Sequence, residues 1–197
     1  CSLSYFTSMS LVYSLNEVSK TIGSDHVMRV SEIVSNLKQF SKKGTDEFSP
    51  TNLIDVINDS LAMITNKVKY KHEVCLKHAT ESLIIHGNFG QLQQVFVNLF
   101  INAIDAMPET GTLDIRTKCI NDEVIILVKD DGIGMKSETI TRVFEPFYTT
   151  KGDSKGTGLG LSVSYAIITK HNATISVESK VNKGTTFILT FPCLSNS

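Results

Sequence analysis

The 197-residue sequence predicts an α+β fold, in which a mixed sheet and a layer of helices form a two-layer sandwich preceded by an α-helical hairpin. Apolar residues recur at intervals of three and four in several long segments, which is typical of amphipathic helices. Between those segments lie short runs rich in β-branched residues, several of which are joined by turn residues that favour antiparallel hairpins. Because strands and helices are mixed along the chain, we expect the helices to cover one face of the sheet.

The helical hairpin is predicted at residues 1–45. Apolar positions recur at roughly helical spacing over 3–21 and more regularly over 27–40, and Gly23 separates the two stretches. Two helices bury little apolar surface alone, so such a hairpin usually pairs with a second copy as a four-helix bundle. The alternative is a hairpin that packs on its own domain. A polar Lys-Lys-Gly-Thr-Asp-Glu segment then leads into the second predicted domain, 46–197.

The second domain is predicted to alternate between helices and short strands. Ser49 and Pro50 are typical of an N-cap and a first helical position, and the apolar face of that helix continues to Ile64. Asn121 and Asp122 predict a tight hairpin turn. The other predicted elements are strands at 73–79, 82–86, 112–120, 123–130, 173–179 and 185–191, and helices at 91–107, 136–143 and 158–171.

Composition and charge exclude several classes of function. The net charge of −1 argues against nucleic-acid binding, which needs a basic surface. No apolar run approaches the length of about 20 residues that a membrane span needs, so we expect membrane attachment only through segments outside this sequence. The four cysteines are scattered without a Cys-x-x-Cys pair, which argues against a zinc site and favours a reducing, cytoplasmic compartment.

A stripe of polar side chains runs along the predicted helix 91–107. Gln94, Asn98, Asn102 and Asp105 follow one another at steps of four, four and three, so they share one face. Such a stripe can be a merely solvated surface. Asn, however, is a poor helix former, and amide oxygens suit Mg²⁺, which takes few protein ligands and several waters. The stripe is therefore a candidate metal and phosphate site.

Two glycine-rich segments suggest a nucleotide site. Asp130 ends a predicted buried strand and precedes a Gly-Ile-Gly turn, so its carboxylate could accept from an exocyclic amine; an ordinary Asp-Gly turn is the alternative. The segment 156–161, GTGLGL, begins a predicted helix and offers backbone N–H groups to phosphates. It lacks the preceding strand of a Rossmann loop and the Gly-Lys-Ser/Thr of a Walker loop. Lys151 and Lys155 precede it as phosphate partners or as ordinary loop charges.

These segments, in this order, resemble the nucleotide-binding boxes of sensor histidine kinases of the nitrogen-regulation type, whose catalytic domain belongs to the GHKL superfamily. The resemblance covers about residues 50–192, and residues 26–42 also resemble the second helix of that family's dimerisation domain. The matching boxes are QLQQVFVNLFINAIDAMP at 91–108, VKDDGIGM at 128–135, FEPFYTTK at 144–151, GTGLGL at 156–161 and GTTF at 184–187.

The resemblance implies a binding site for ATP and Mg²⁺. It implies that Asn102 coordinates Mg²⁺, that Asn98 lies near the phosphates and that Lys151 reaches the terminal phosphate. It also implies that Asp130 bonds the adenine amine and that Thr185 supports it.

The glycines have implied roles as well. Gly132 and Gly134 would let the base approach, while Gly156, Gly158 and Gly160 would give a lid its hinge and the phosphates their N–H donors. The remaining residues expected at the nucleotide are Asp105, Thr157, Leu159 and Leu161.

The implied activity is transfer of the γ-phosphoryl group of ATP to a histidine, for relay to an aspartate in the receiver domain of a response regulator. The family carries its acceptor histidine in a His-Glu/Asp-x-x-Asn-Pro-Leu segment, which no residue here fits. If Leu3 takes the Leu position, the acceptor lies four residues before Cys1. His26 lacks the following acid and is expected on the surface of a helical bundle.

Two alternatives use the same nucleotide-binding boxes. An ATPase clamp of the same superfamily, such as a chaperone or a mismatch-repair protein, would need a Glu near position 98 to activate water, and Asn98 cannot act as a base. A non-enzymatic nucleotide sensor would be expected to have lost part of the boxes, which are intact here.

Overall fold

The computed structural model describes residues 47–68, 72–78, 83–151 and 156–194 of the chain. The predicted hairpin at 1–45 and the predicted domain boundary lie outside these residues, so both stay predictions. No helix in the described part is long and apolar enough to cross a membrane.

The described residues form an α+β fold, as predicted from the sequence. Apart from the first helix, the predicted elements are found with ends that differ by one or two residues at most. The strands are β1 (Ser49–Asn52), β2 (His72–Lys77), β3 (Ile84–Gly87), β4 (Gly111–Ile120), β5 (Glu123–Asp130), β6 (Thr174–Ser179) and β7 (Thr185–Pro192). The helices are α1 (Leu53–Val68), α2 (Phe89–Ala106), α3 (Ser137–Arg142) and α4 (Gly160–Lys170).

The main sheet is mixed and has the strand order β2-β4-β5-β7-β6. β2 runs parallel to β4, and the other neighbours are antiparallel. A separate antiparallel pair joins β1 to β3. Because side chains alternate between the two faces of a strand, the inward positions of β5 and β7 form buried rows on one face of the sheet. Helices α2 and α4 lie on the sheet, and α1 packs on α2.

Helix α2 is the centre of the core. Its apolar side chains pack between the sheet and the helices α1 and α4, as its helical spacing predicts. Seven of its residues are buried: Leu92, Val95, Phe96, Leu99, Phe100, Ala103 and Ile104. The polar stripe of the same helix is left at the margin of the core, and this arrangement positions the candidate site.

The prediction for the start of α1 is wrong. Ser49 and Pro50 belong to strand β1, and the helix begins at Leu53, after Asn52 accepts a hydrogen bond from the Ile54 N–H (3.1 Å). β1 is held by pairing with β3, and the hydroxyl of Thr51 donates to the Gly87 carbonyl (3.0 Å). Proline is compatible with such a short edge strand, so its presence did not distinguish the two structures.

The predicted hairpin turn at residues 121 and 122 is confirmed. Asn121 and Asp122 have φ of 51° and 62°, which is the left-handed conformation that a two-residue turn between antiparallel strands requires. In the turn between β6 and β7, Asn182 (φ 58°) and Gly184 (φ 84°) adopt the same region. These turns fix the register of β4 on β5 and of β6 on β7.

His171 joins three parts of the fold. Its Nε2 accepts from the Asn88 backbone N–H (3.0 Å), and its Nδ1 donates to the Ile167 carbonyl (2.8 Å). The Phe48 ring lies 4.5 Å from the imidazole, centroid to centroid. Asn88 in turn caps α2 by accepting from the Gln91 N–H (2.9 Å). Both ring nitrogens are thus used by a neutral imidazole, and burial lowers the pKa of His171.

We predict that His171 makes the fold less stable in acid. Because its pKa is lowered in the folded state, the unfolded chain takes up a proton first as the pH falls through about 6.5, and the free energy of unfolding decreases. Urea unfolding between pH 8 and 5.5 should show a steeper decrease for the wild type than for His171→Gln. The nearby positive charge of Lys170 lowers the same pKa, and His86 does so when protonated. Parallel pH profiles would contradict this role.

Candidate functional site

The candidate site begins at one end of the core face of the sheet. The buried positions of β5 are Val124, Ile126, Val128 and Asp130, so the carboxylate takes the last place in an otherwise apolar row. The strand register pairs Asp130 with Thr185 on β7, and Thr185 with Ser179 on β6. Three polar side chains therefore lie side by side across three strands, where the apolar core ends.

Asp130 is 3% exposed and is held by backbone amides. Its Oδ1 accepts from the Gly132 N–H (2.9 Å) and from the Thr185 N–H (3.3 Å). Burial raises the pKa of the carboxyl group above its ordinary value, and the two amides oppose that shift. Because both amides bond Oδ1, Oδ2 is the oxygen that can accept from a ligand.

The Gly-Ile-Gly turn after Asp130 is fixed from both sides. The Ile133 N–H donates to the Ala106 carbonyl at the end of α2 (3.0 Å), and the Asn182 N–H donates to the Ile133 carbonyl (2.7 Å). A Cβ on Gly132 would overlap the Ala106 carbonyl, and one on Gly134 (φ +62°) would overlap the backbone of Lys180. In this structure, the atoms that lie closest to the missing Cβ of each glycine are thus protein backbone atoms.

Two polar side chains near this turn were not predicted from the sequence. Asp131 Oδ1 accepts from the Thr112 N–H (2.9 Å) and so fixes the start of β4. Ser179 Oγ accepts from the Met135 N–H (2.8 Å), lies 2.9 Å from the Gly184 carbonyl oxygen and lies 3.0 Å from Thr185 Oγ1. The predicted hairpin, which ends one strand at 179 and starts the next at 185, was the signal that could have identified Ser179.

Asn98 connects α2 to the start of α4. Its amide Nδ2 donates to the Gly160 carbonyl (3.2 Å) and to Ser164 Oγ (3.4 Å). The hydroxyl of Ser164, which is buried, donates to the same carbonyl (2.9 Å). The amide of Asn98 therefore fixes where the first turn of α4 lies on the polar face of α2.

One turn further along α2, two oxygen atoms converge on the ammonium group of Lys151. Lys151 Nζ donates to Asn102 Oδ1 (3.0 Å) and to Asp105 Oδ2 (2.7 Å). The side chains of Lys151 and Asp105 are 32% and 39% exposed, so the ion pair is partly screened by solvent. The polar stripe predicted on this helix thus holds a cation with side-chain oxygens in this structure.

The glycine-rich segment leads into the first turn of α4. Gly158 has φ +67°, and the Phe147 N–H donates to its carbonyl (2.9 Å). Phe147 itself has φ 65°, so this hydrogen bond joins two residues in the left-handed region, one in the FEPFYTTK segment and one just before the helix. Leu159 is the N-cap residue, and its apolar side chain cannot cap the first N–H groups of α4. Those groups can therefore meet an anion.

The other residues predicted for this segment have smaller roles in the structure. Thr157 Oγ1 accepts from the Leu159 N–H (3.4 Å), and Leu161 packs partly buried against the core. Gly156 lies beside the Thr149 hydroxyl and the Lys151 side chain. Lys155 lies outside the described residues.

The predicted site residues thus form two groups. One consists of Asp130, its Gly-Ile-Gly turn and Thr185; the other consists of Asn98, Asn102, Asp105 and Lys151 with the start of α4. The Ala106 carbonyl, which accepts from Ile133, joins the first group to the helix that carries the second. In the described part of the chain, no group of three or more His, Cys, Asp or Glu side chains is arranged so that it could hold a metal ion.

Comparison with known proteins places the chain in a family. The family described as "Histidine kinase-, DNA gyrase B-, and HSP90-like ATPase" matches residues 87–195. Among curated proteins, the sensor kinase CckA of Brucella abortus (strain 2308) is 36% identical over 181 residues. That match covers 84% of this chain and 19% of the kinase, so the chain spans about a fifth of the length of that relative.

Solved structures give the same result. The catalytic domain of histidine kinase ThkA is 32% identical, with a TM-score of 0.68 over 75% of this chain and 96% of that domain. A structure of ThkA in complex with the response regulator protein TrrA is 26% identical, with a TM-score of 0.71 over 87% of this chain and 49% of that chain. The chain therefore belongs to the histidine kinase-, DNA gyrase B- and HSP90-like ATPase family, and its described residues have the fold of a histidine kinase catalytic domain.

Proposed function

We propose that this chain is the ATP-binding catalytic part of a sensor histidine kinase, which transfers the γ-phosphoryl group of ATP to a histidine for relay to a response-regulator aspartate. The observation that carries the proposal is the buried carboxylate of Asp130, which has one oxygen held by two backbone amides. The first turn of α4 and the oxygen-rich face of α2 complete the site.

Asp130 is proposed to select the base. Oδ2 accepts a hydrogen bond from the exocyclic amine of adenine, while Oδ1 keeps accepting from the backbone amides of Gly132 and Thr185. In a site this buried, a hydrogen bond to a charged acceptor contributes more than one at the surface, because water competes less. A Cβ on Gly132 would lie 2.9 Å from Asp130 Oδ1, so the glycine keeps the turn free of a side chain beside the carboxylate.

The phosphates are proposed to lie between the start of α4 and the polar face of α2. Phosphate oxygens accept from the uncapped N–H groups at the start of the helix, and the positive end of the helix dipole favours their charge. Lys151 exchanges its contacts with Asn102 and Asp105 for a contact with the terminal phosphate. Asn98 keeps the start of α4 in place on α2.

Asn102 is proposed to hold Mg²⁺. The site fits this ion, since Asn102 Oδ1 and Asp105 Oδ2 already accept together from one cation. Mg²⁺ prefers oxygen donors and takes few protein ligands when it also binds phosphates. When bound, the ion supplies positive charge that neutralises the phosphates during transfer.

Asn98 distinguishes a kinase from a hydrolytic clamp. An ATPase of the clamp type needs a base that activates water, whereas Asn98 has no basic group and donates its amide hydrogens to Gly160 and Ser164. The side chains of this site position the phosphates and stabilise their charge, and the attacking group is expected to be an imidazole supplied from elsewhere.

Two binding partners are proposed, a receiver domain of a response regulator and a second copy of this chain. A receiver domain is supported by the similarity to ThkA, which was solved with the response regulator protein TrrA. Pairing with a second copy is proposed through residues 1–45, whose apolar stripe needs burial. The net charge of −1 argues against nucleic acid as a partner.

Changing Asp130 should weaken ATP binding strongly. In Asp130→Asn the amide oxygen can still accept from Gly132 and Thr185, but an NH₂ group then faces the adenine amine, and two donors repel. We expect a loss of about 1–3 kcal/mol, or about 5- to 150-fold in affinity, by calorimetry. Asp131→Asn is the matched control, because its amide oxygen can still accept from Thr112. Equal affinities for the wild type and Asp130→Asn would refute the assignment.

Changing Asn102 should remove the dependence of nucleotide binding on Mg²⁺. Asn102→Ala deletes the proposed ligand on a half-exposed face of α2, so the circular dichroism spectrum should be retained. Calorimetric titrations with ATP, with and without Mg²⁺, should differ for the wild type and coincide for the variant. If the variant retains the full effect of Mg²⁺, the ion is held by other groups.

The kinase activity itself can be tested between two chains. We expect that labelled ATP leaves no acid-labile label on this 197-residue chain alone, because none of its histidines is in an acceptor-type segment. A longer version that includes the residues before Cys1 and carries Asp130→Asn should become labelled when this chain is added. Label on this chain that His26→Gln abolishes would contradict the placement of the acceptor. Absence of label on both chains, with ATP binding intact, would contradict the kinase proposal.

A further inference from the structure

The hydroxyl of Ser179 has a role that the proposed nucleotide site leaves unexplained. Ser179 is the last residue of β6 and pairs with Thr185, which itself pairs with Asp130. Its Oγ is close to three polar atoms: the Met135 N, the Gly184 O and the Thr185 Oγ1. It therefore connects the Gly-Ile-Gly turn, the β6–β7 turn and the residue beside the buried carboxylate.

The chemistry of these three partners leaves one arrangement of protons. A hydroxyl group has one hydrogen to donate and two lone pairs that accept. The Met135 N–H can only donate, so it occupies one lone pair of Ser179 Oγ. The Gly184 carbonyl can only accept, and its oxygen lies 2.9 Å from Ser179 Oγ, closer than the Lys180 N from which it also accepts (3.4 Å), so it takes the Ser179 hydrogen. The contact between Ser179 Oγ and Thr185 Oγ1 (3.0 Å) must then be donated by Thr185.

This arrangement fixes what Thr185 can offer to a ligand. Its only hydroxyl hydrogen is used by Ser179, so toward any other group the Thr185 oxygen presents lone pairs alone. Its neighbour across the strands, Asp130, also presents an acceptor through Oδ2. Two adjacent acceptors attract a ligand group that carries hydrogens and repel a carbonyl oxygen at the same place.

We propose that Ser179 is a positioning residue for base selection, which fixes the Thr185 hydroxyl as an acceptor and makes the site prefer a 6-amino purine to a 6-oxo purine. The inference rests on the proposed binding of a nucleotide at Asp130. The effect reaches the base through Thr185, directly or through a water that Thr185 accepts from, and Ser179 itself need not contact the ligand.

The test compares the affinities of this chain for ATP and ITP, whose bases differ in carrying an amine or a carbonyl at position 6. The wild type should prefer ATP. Ser179→Ala frees the Thr185 hydrogen to donate to the carbonyl of ITP, so the ratio of the two affinities should fall by about fivefold or more. Ser176→Ala is the matched control, because it removes an exposed hydroxyl from the same strand and should leave the ratio unchanged.

Three further variants separate positioning from a general loss of structure. Thr185→Val removes the acceptor and should lower the ratio as Ser179→Ala does, and the double variant should be no lower than Thr185→Val alone, since the two residues act as one unit. Ser179→Thr keeps the hydroxyl and should retain most of the preference. If Ser179→Ala, and with it the double variant, fails to fold, Thr185→Val decides the matter, because it leaves the Ser179 hydroxyl in place and must still lower the ratio.

The possible failures are distinguishable. If the wild type does not bind ATP, or binds ATP and ITP equally, the nucleotide site at Asp130 is refuted. If the wild type prefers ATP but Ser179→Ala and Thr185→Val keep the same ratio, even with both affinities reduced, Ser179 only supports the fold and the inference is overturned.

Discussion

The antiparallel pairing of β5 with β7 is the constraint on which the rest of the site depends. It places Asp130 opposite Thr185 at the end of two rows of buried apolar side chains. A carboxylate at this position is shielded from water, and the burial raises its pKa. Two backbone amides that donate to Oδ1 offset part of the cost of burying this charge. Oδ2 is left as an acceptor in a site where an unpaired polar group is costly.

The Gly-Ile-Gly turn and the β6–β7 turn hold that carboxylate in place without contacting it through large side chains. The Asn182 N–H of one turn donates to the Ile133 carbonyl of the other, and the hydroxyl of Ser179 links both turns to Thr185. Asp131 adds a bond to the start of β4. Because two backbone amides already fix the Asp130 carboxylate, ligand binding need not order it, and a preorganised acceptor loses less free energy on binding.

Helix α2 performs two tasks with its two faces. Its apolar face packs in the centre of the core, which makes it a rigid support. Its polar face carries Asn98, which fixes the start of α4, and Asn102 and Asp105, which accept from Lys151. The phosphate-binding candidates are thereby attached to a helix that packs in the centre of the core, while Lys151 lies in a partly exposed ion pair that solvent can weaken. The rigid site proposed for the adenine base thus accompanies a Lys151 ammonium group that can exchange its contacts.

The sequence alone determined the α+β class, the polar stripe of α2 and the position of Asp130 at the end of a strand, because these depend on local periodicity and turn residues. Tertiary structure decided the features that depend on contacts between residues far apart in the sequence. Pro50 belongs to a strand because β1 pairs with β3. The hydrogen bond from Thr51 to Gly87 in this pair joins residues that are 36 positions apart in the sequence. Lys151 reaches Asp105 across 46 residues, and Ser179 acquires its partners only when β6, β7 and the Gly-Ile-Gly turn meet. A hydroxyl or an ammonium group can bond many partners, so its role is set by the neighbours that strand register and helix packing bring to it.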